Sequence, residues 1–202
     1  AILVMKSAGI NIESEQEAVK LELGNHSVAG TLDVEIDGKV WDIKSASPYA
    51  FDHKFGELGG YKKIKEDDVF GYISQGYLYS QSKNKDFGGW IVINKASGEW
   101  VVCEAPELQE EDKKEALDLA KKNLKALLSG EKFKRCFTDT EETYKDKDKN
   151  VKKTGNRLLS SICGFCDFKK TCWPNAIMHR KVGSTARFPK SVWYSKLKKR
   201  EI

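Results

Sequence analysis

The chain has 202 residues, of which 40% are hydrophobic and 32% charged. That suits one compact domain with a small appended module and is too short for two full-sized enzyme domains. No apolar run approaches the roughly 18 residues that cross a bilayer, which excludes a membrane-spanning helix. The start at Ala1 carries neither a basic leader nor a cleavage site, so it does not read as a secretory signal. Lacking a Met, it reads as a fragment whose N-terminal element lies upstream.

In chain order, Gln16 to Leu23 alternates with the period of a half-buried strand, and a turn follows at Gly24-Asn25. Val28 to Ile36 and Lys39 to Lys44 are two further strands around Asp37-Gly38, the strongest short-range signal for a two-residue hairpin. Ser47-Pro48 ends the second, and Phe51 to Lys65 has no clear period and reads as a loop. The spacing of Val69, Tyr72, Ile73, Gly76, Tyr77 and Leu78 predicts a helix over Asp67 to Gln81. Gly88 to Asn94 and Glu99 to Glu104 form a strand pair around Ala96-Ser97-Gly98. A long amphipathic helix spans Glu107 to Leu128, with Leu117, Ala120, Leu124 and Leu127 on one side and Gly130 past its end. Thr138 to Lys153 is rich in charge, and Tyr144 to Lys153 reads as a solvated loop.

The net charge of +5 is uneven: from His179 onward stand eight Lys or Arg against the single acid Glu201. Such a basic tail, with Phe188, Trp193 and Tyr194, offers charges to phosphates and rings to bases, or else is a solvated terminus. The five cysteines are odd in number, which argues against a disulfide framework. Cys163, Cys166 and Cys172 have metal-like spacing, and Cys136 is the candidate fourth thiolate. Cys103, in the apolar run Trp100 to Val102, reads as a small buried hydrophobe.

Placing Asp37-Gly38 in the turn pairs Ile36 with Lys39, Glu35 with Val40, Val34 with Trp41, and Asp33 with Asp42. Two aspartates facing each other repel unless a cation sits between them. Lys44 shares their face, whereas Leu32, Val34, Trp41 and Ile43 make the opposite, apolar face. Paired carboxylates with a lysine suit metal-assisted phosphodiester hydrolysis: oxygen ligands for Mg²⁺ or Mn²⁺, and a cation to stabilise charge on phosphorus. The alternative is a solvent-facing hairpin with ordinary surface charges.

Gly30-Thr-Leu-Asp33, Asp42-Ile-Lys44 and Gln75-Gly-Tyr-Leu-Tyr79, in that order, resemble the PD-(D/E)XK nucleases, in particular the RecB-like exonuclease branch with its Gln-x-x-x-Tyr helix motif. Gly155-Asn156-Arg-Leu-Leu159 followed by Cys163, Cys166 and Cys172-Trp173 is similar to tailed-phage exonuclease-like proteins. The resemblance covers roughly Glu13 to Cys172. It implies an α/β, restriction-endonuclease-like core with a mixed central sheet flanked by helices, plus a C-terminal cysteine-rich metal-held appendage. The expected division is a nuclease core over 1–130, the appendage over 131–178 and the basic tail over 179–202.

The resemblance also implies Asp33 and Asp42 as metal ligands, Lys44 as the catalytic lysine, and Gln75 and Tyr79 as residues that steady the site and contact DNA. The family often supplies a further ligand from a helix upstream of the hairpin; Glu15 and Glu17 are the substitutes here, with Glu17 at the head of a strand. Cysteine-bearing members hold a 4Fe-4S cluster with one early and three late cysteines. No cysteine precedes the hairpin here, so either Cys136 is the fourth ligand or that ligand lies upstream, and Zn²⁺ suits four thiolates equally.

The function implied is a Mg²⁺- or Mn²⁺-dependent deoxyribonuclease acting from DNA ends, with Lys54, Lys62, Lys63 and Lys65 tracking the backbone. Its expected setting is the cytoplasm of a bacterial or phage-infected cell. DNA is the expected partner, with self-association or a recombination complex beside it. The alternative is a non-catalytic nucleic-acid-binding module on a degenerate nuclease core.

Overall fold

Asp37 and Gly38 both take positive φ, 50° and 70°, as a two-residue primed hairpin turn demands. The strands they join pair as Val34 with Trp41, Glu35 with Val40 and Ile36 with Lys39, the register expected from the sequence. The computed structural model describes residues 1–131 and 134–198, and the chain divides into two compact units, Ala1–Glu131 and Lys132–Ile202.

Unit 1 runs α1 (Ile2–Ser7), β1 (Ser14–Glu15), β2 (Ala18–Leu23), β3 (His26–Thr31), β4 (Val34–Ile36), β5 (Lys39–Ala46) and α2 (Pro48–Ala50), which continues into a π-helical turn at Phe51–Phe55. Then come α3 (Tyr61–Glu66), α4 (Tyr72–Ser82), β6 (Asp86–Asn94), β7 (Trp100–Glu104) and α5 (Glu110–Leu128). The central sheet has the order β1-β4-β5-β6-β7, with β2 and β3 forming a separate two-stranded arm. Only β5 and β6 are parallel; the other neighbours are antiparallel. The architecture is therefore mixed α/β: a mixed central sheet flanked by helices. A parallel pair needs a long crossover, and the β5–β6 crossover carries α2, α3 and α4.

The larger core lies where α4 meets the sheet, around Phe55, Ile64, Tyr77, Phe87, Trp90 and Val92. The opposite face buries Val34 and Ile91 with Met5 of α1, against Trp41 and Ile43. A register shift between Val40 and Trp41 sets Phe87 and Gly89 opposite them. This shift changes the phase of β6 and lets Phe87 and Trp90 pack in the same core. Gly76 of α4 lies so close to the Phe87 ring that a Cβ there would overlap it; the missing side chain lets α4 sit down on β6.

Four sequence expectations change in unit 1. Val28 to Ile36 is two strands, broken at Leu32 and Asp33. Because strand geometry lapses there, alternation lapses too, and Leu32 leaves the Val34 face to pack with Val19, Val40 and Tyr79. Phe51 to Lys65 is partly helical, since Phe55 and Ile64 enter the core. The Asp67 to Gln81 helix begins only at Tyr72 and leaves Val69 41% exposed: Asp68 takes the Tyr72 and Ile73 N–H groups at 2.8 Å each and caps it. Finally, α5 begins at Glu110 and buries Asp112 and Ala116, whereas Leu127 is exposed.

Unit 2 contains β8 (Thr140–Lys145), β9 (Val151–Leu158), a 3₁₀ turn at Ser161–Phe165, α6 (Lys169–Cys172), β10 (Ile177–Arg180) and β11 (Ser191–Lys196). Its antiparallel sheet has the order β10-β11-β9-β8. The segment Tyr144 to Lys153, expected to be a solvated loop, forms the β8–β9 hairpin, whose turn is tied by Asp146 accepting from the Asp148 and Asn150 N–H groups. The stretch expected to be a separate basic tail supplies the end of β10 and all of β11, and Tyr194 is fully buried. Lys199, Arg200 and Glu201 of that tail lie outside the described residues.

Candidate active site

The break at Leu32-Asp33 builds the site. The β4–β5 ladder stops at Val34 and Trp41, so the Ile43 N–H has no strand partner there. The Asp33 carboxylate takes its place, accepting from Ile43 N through Oδ2 at 2.8 Å and from the Gln16 amide through Oδ1 at 3.0 Å. Asp42, next to Ile43 on β5, turns its carboxylate into the sheet face and is only 4% exposed. The charge of Asp33 reaches that carboxylate, although Asp33 lies outside β4 and is not its ladder partner.

Lys44 follows two residues along the same face. Its Nζ donates to Asp42 Oδ1 at 2.9 Å and to Gln75 Oε1 of α4 at 3.0 Å. Nζ is also 2.8 Å from Asp42 Oδ2, but not in hydrogen-bonding direction, so this buried oxygen accepts no hydrogen bond. The Gln75 amide in turn donates to the Tyr79 hydroxyl at 3.4 Å, the two residues being one helical turn apart. Asp42, Lys44, Gln75 and Tyr79 thus form one hydrogen-bonded run, with Asp33 held beside it on the Ile43 N–H.

Burial pushes the Asp42 carboxyl up; Lys44 pulls it down by charge and hydrogen bond, and Asp33 pushes it up again, with a net rise. Two carboxylates beside one lysine leave more negative charge than that ammonium offsets, a costly arrangement for the folded chain alone. It suits a small divalent cation, which needs only one or two protein carboxylates and completes its shell with water.

Glu17 stands elsewhere. Lys83 donates to both its oxygens, at 2.7 and 2.8 Å, and Ser14 donates to one of them. Those bonds hold its carboxyl below the ordinary range, the Lys83 bond contributing most. Lys83 and Lys85 also flank the buried Glu35, while Glu15 pairs with Lys6. Among the described residues no group of three or more His, Cys, Asp or Glu is arranged to hold a metal ion, so no third such ligand joins Asp33 and Asp42.

Of the expected backbone-tracking lysines, Lys63 pairs with Glu66 and Lys65 with Asp112. Lys54 lies over the Tyr72 ring at 4.9 Å, and Lys44 reaches the same ring at 5.2 Å. Sequence reasoning placed Tyr72 only on the apolar side of its helix. Its spacing of three from Gln75 was the signal that it shares the face of the site.

In unit 2 all of the cysteines are free thiols. Cys163 is buried against Leu159 and Ala176, with Trp173 and Trp193 packed around them. Burial raises its thiol pKa most, followed by the charges of Cys166, Cys172 and Cys136. The four do not converge into a metal-holding group. Cys103 is buried in β7, its thiol pushed up to about 11 by burial, in keeping with a small hydrophobe. No helix among the described residues is long and apolar enough to cross a membrane. No family model, no curated protein and no solved structure matches this chain.

Proposed function

We propose that the chain is a Mg²⁺- or Mn²⁺-dependent deoxyribonuclease of the PD-(D/E)XK type, with a restriction-endonuclease-like core, hydrolysing phosphodiester bonds from DNA ends. The observation that carries this reading is the hydrogen-bonded run Asp42, Lys44, Gln75 and Tyr79, with the Asp33 carboxylate held beside it on the Ile43 N–H. Asp33 and Asp42 are the residues that would hold the cation, which when bound supplies charge neutralisation at the phosphate and a more acidic water.

The chain's own groups do the rest. Lys44, drawn between Asp42 and Gln75, presents its ammonium to the phosphoryl oxygen on which negative charge grows. Gln75 fixes the reach of Lys44, and Tyr79 fixes the orientation of the Gln75 amide. The Ile43 backbone N–H and the Gln16 amide hold the Asp33 carboxylate in place beside β5.

Lys44→Ala is expected to lower cleavage of end-labelled linear DNA by about 100- to 1,000-fold, as loss of a single preorganised donor does elsewhere. Wild-type cleavage should need Mg²⁺ or Mn²⁺ and stop in EDTA. Full activity of the Lys44→Ala protein would remove the hairpin from the chemistry. A second reading, a nucleic-acid-binding module on a degenerate core, is favoured by the absence of a third acidic or His ligand. Folded protein that retards DNA and cleaves none of it in either metal would select that reading.

We assign Cys136, Cys163, Cys166 and Cys172 to a 4Fe-4S cluster or Zn²⁺ in a metal-held appendage, a reading supported by the spacing Cys163-x-x-Cys166 with Cys172 six residues on. Protein purified without oxygen should carry iron with a visible absorbance band, or colourless zinc, and Cys163→Ser should lose it. Metal-free wild type that folds normally would overturn the assignment.

A further inference from the structure

Between the β2–β3 arm and α4 lies a cleft of about 290 Å³, near the lower end of small-molecule sites, roughly 300 Å³. Its apolar walls include Val19 and Val28 from the arm and Leu78 and Tyr79 from α4, and none of its lining side chains carries a charge. Gly30 makes one wall possible: a Cβ there would lie 2.6 Å from the Tyr79 ring, so only glycine lets that ring rest against β3. The polar side chains at the cleft are Ser74, Gln75 and Ser82 besides the Tyr79 hydroxyl.

Two of these residues also belong to the candidate active site. Gln75 accepts from Lys44 on one side and donates to Tyr79 on the other, so the cleft begins where the phosphodiester site ends. The chemistry of the two neighbours differs. The site is ionic and suits phosphate and metal, whereas the cleft is neutral, walled by one aromatic ring and aliphatic side chains, and supplied with a few hydrogen-bonding groups. Those are the requirements of a flat heteroaromatic ring, and a phosphate or carboxylate would find no cation in the lining.

We propose that this cleft seats one unpaired nucleobase of the strand whose phosphate stands at Asp33, Asp42 and Lys44. This inference rests on the nuclease reading and deepens it: the substrate is a single-stranded or frayed DNA end. A base must leave its stack to enter, which costs more in a paired duplex than in a single strand, while stacking on an aromatic side chain offsets that cost.

The test uses the whole chain in EDTA with a single-stranded oligonucleotide carrying 2-aminopurine at its end. Stacking in the cleft should change the probe's fluorescence saturably. Val28→Met, on the exposed arm, extends a longer side chain into the cleft and should weaken that response at least tenfold. Removing the base instead, with an abasic terminal nucleotide, should weaken binding equally with no change to the protein. In Mg²⁺ the wild type should cut single-stranded ends at least tenfold faster than blunt duplex ends. Val28→Met should lose that preference and still hydrolyse a small aryl phosphodiester that has no base.

An unchanged fluorescence response in Val28→Met, undiminished binding of the abasic strand, or equal cutting of blunt and single-stranded ends would overturn the proposal. Failure of the wild type to hydrolyse any phosphodiester sinks the nuclease reading instead, separately from the cleft's response to a base.

Discussion

Asp42→Asn should make the protein more stable and inactive at once. The wild-type carboxylate is buried, one oxygen accepts no hydrogen bond, and Asp33 stands beside it. Its pKa is raised, first by that burial, so its charged form disfavours the fold even with Lys44 attached. An amide of the same shape removes the buried charge and the repulsion from Asp33, while Lys44 keeps Gln75 as a partner. The expected gain in EDTA is about 1 kcal/mol, or roughly 2–4 °C in melting temperature for a chain of this size. DNA cleavage should fall below detection. A melting temperature lower than wild type would show that Asp42 is a structural half of a salt bridge with Lys44, not a group held strained for chemistry.

The second large effect lies in unit 2. Glu142 of β8 is fully buried and accepts hydrogen bonds at both oxygens. Tyr194 OH and Gly183 N–H reach Oε1 at 2.7 and 2.8 Å; Thr154 Oγ1 and the Asn156 amide reach Oε2 at 2.9 and 2.8 Å. Burial pushes its carboxyl up, but the bonds from Asn156, Gly183, Tyr194 and Thr154 outweigh it and hold the carboxyl below its ordinary 4.5. A carboxylate with a lowered folded pKa contributes stability that is fully present above the ordinary value and is lost as pH falls through the lowered one.

Glu142→Ala strands four donors and opens a void, at a cost of about 3–5 kcal/mol. Glu142→Gln keeps the volume but turns an NH₂ toward donors, costing about 2–3 kcal/mol. Thermal melts of both variants across pH 3 to 8 check this. The wild type should lose its advantage over Glu142→Gln at the acid end of that range. Equal melting temperatures at neutral pH would contradict the account.

The parts of the fold legible in the sequence are those whose signal is local. Asp37-Gly38 dictates a turn, the turn dictates register, and register brings Asp42 and Lys44 to one face. The four-residue spacing of Gln75 and Tyr79 put both on the helix face that meets Lys44. What escaped was set by distant partners. Leu32 follows alternation on paper, yet the chain breaks beside it so that the Asp33 side chain can replace a strand hydrogen bond.

Glu142 escaped for a related reason. Within Thr140 to Lys145 every residue but Tyr144 is strongly polar, and a glutamate inside such a run reads as solvated; its partners Thr154, Asn156, Gly183 and Tyr194, 12 to 52 residues on, make it a core residue. Glu17 looked like a ligand because of its place ahead of β2, but Lys83, 66 residues on, claims it.

On the proposed reading Asp33 and Asp42 together hold a divalent cation. Mn²⁺ titrated into wild type and Asp42→Asn, with the free ion followed by electron paramagnetic resonance, should bind saturably to the wild type, and Asp42→Asn should lose that binding while remaining folded. Mn²⁺ binding that survives in Asp42→Asn, or that is missing from folded wild type, would remove the cation from the two aspartates.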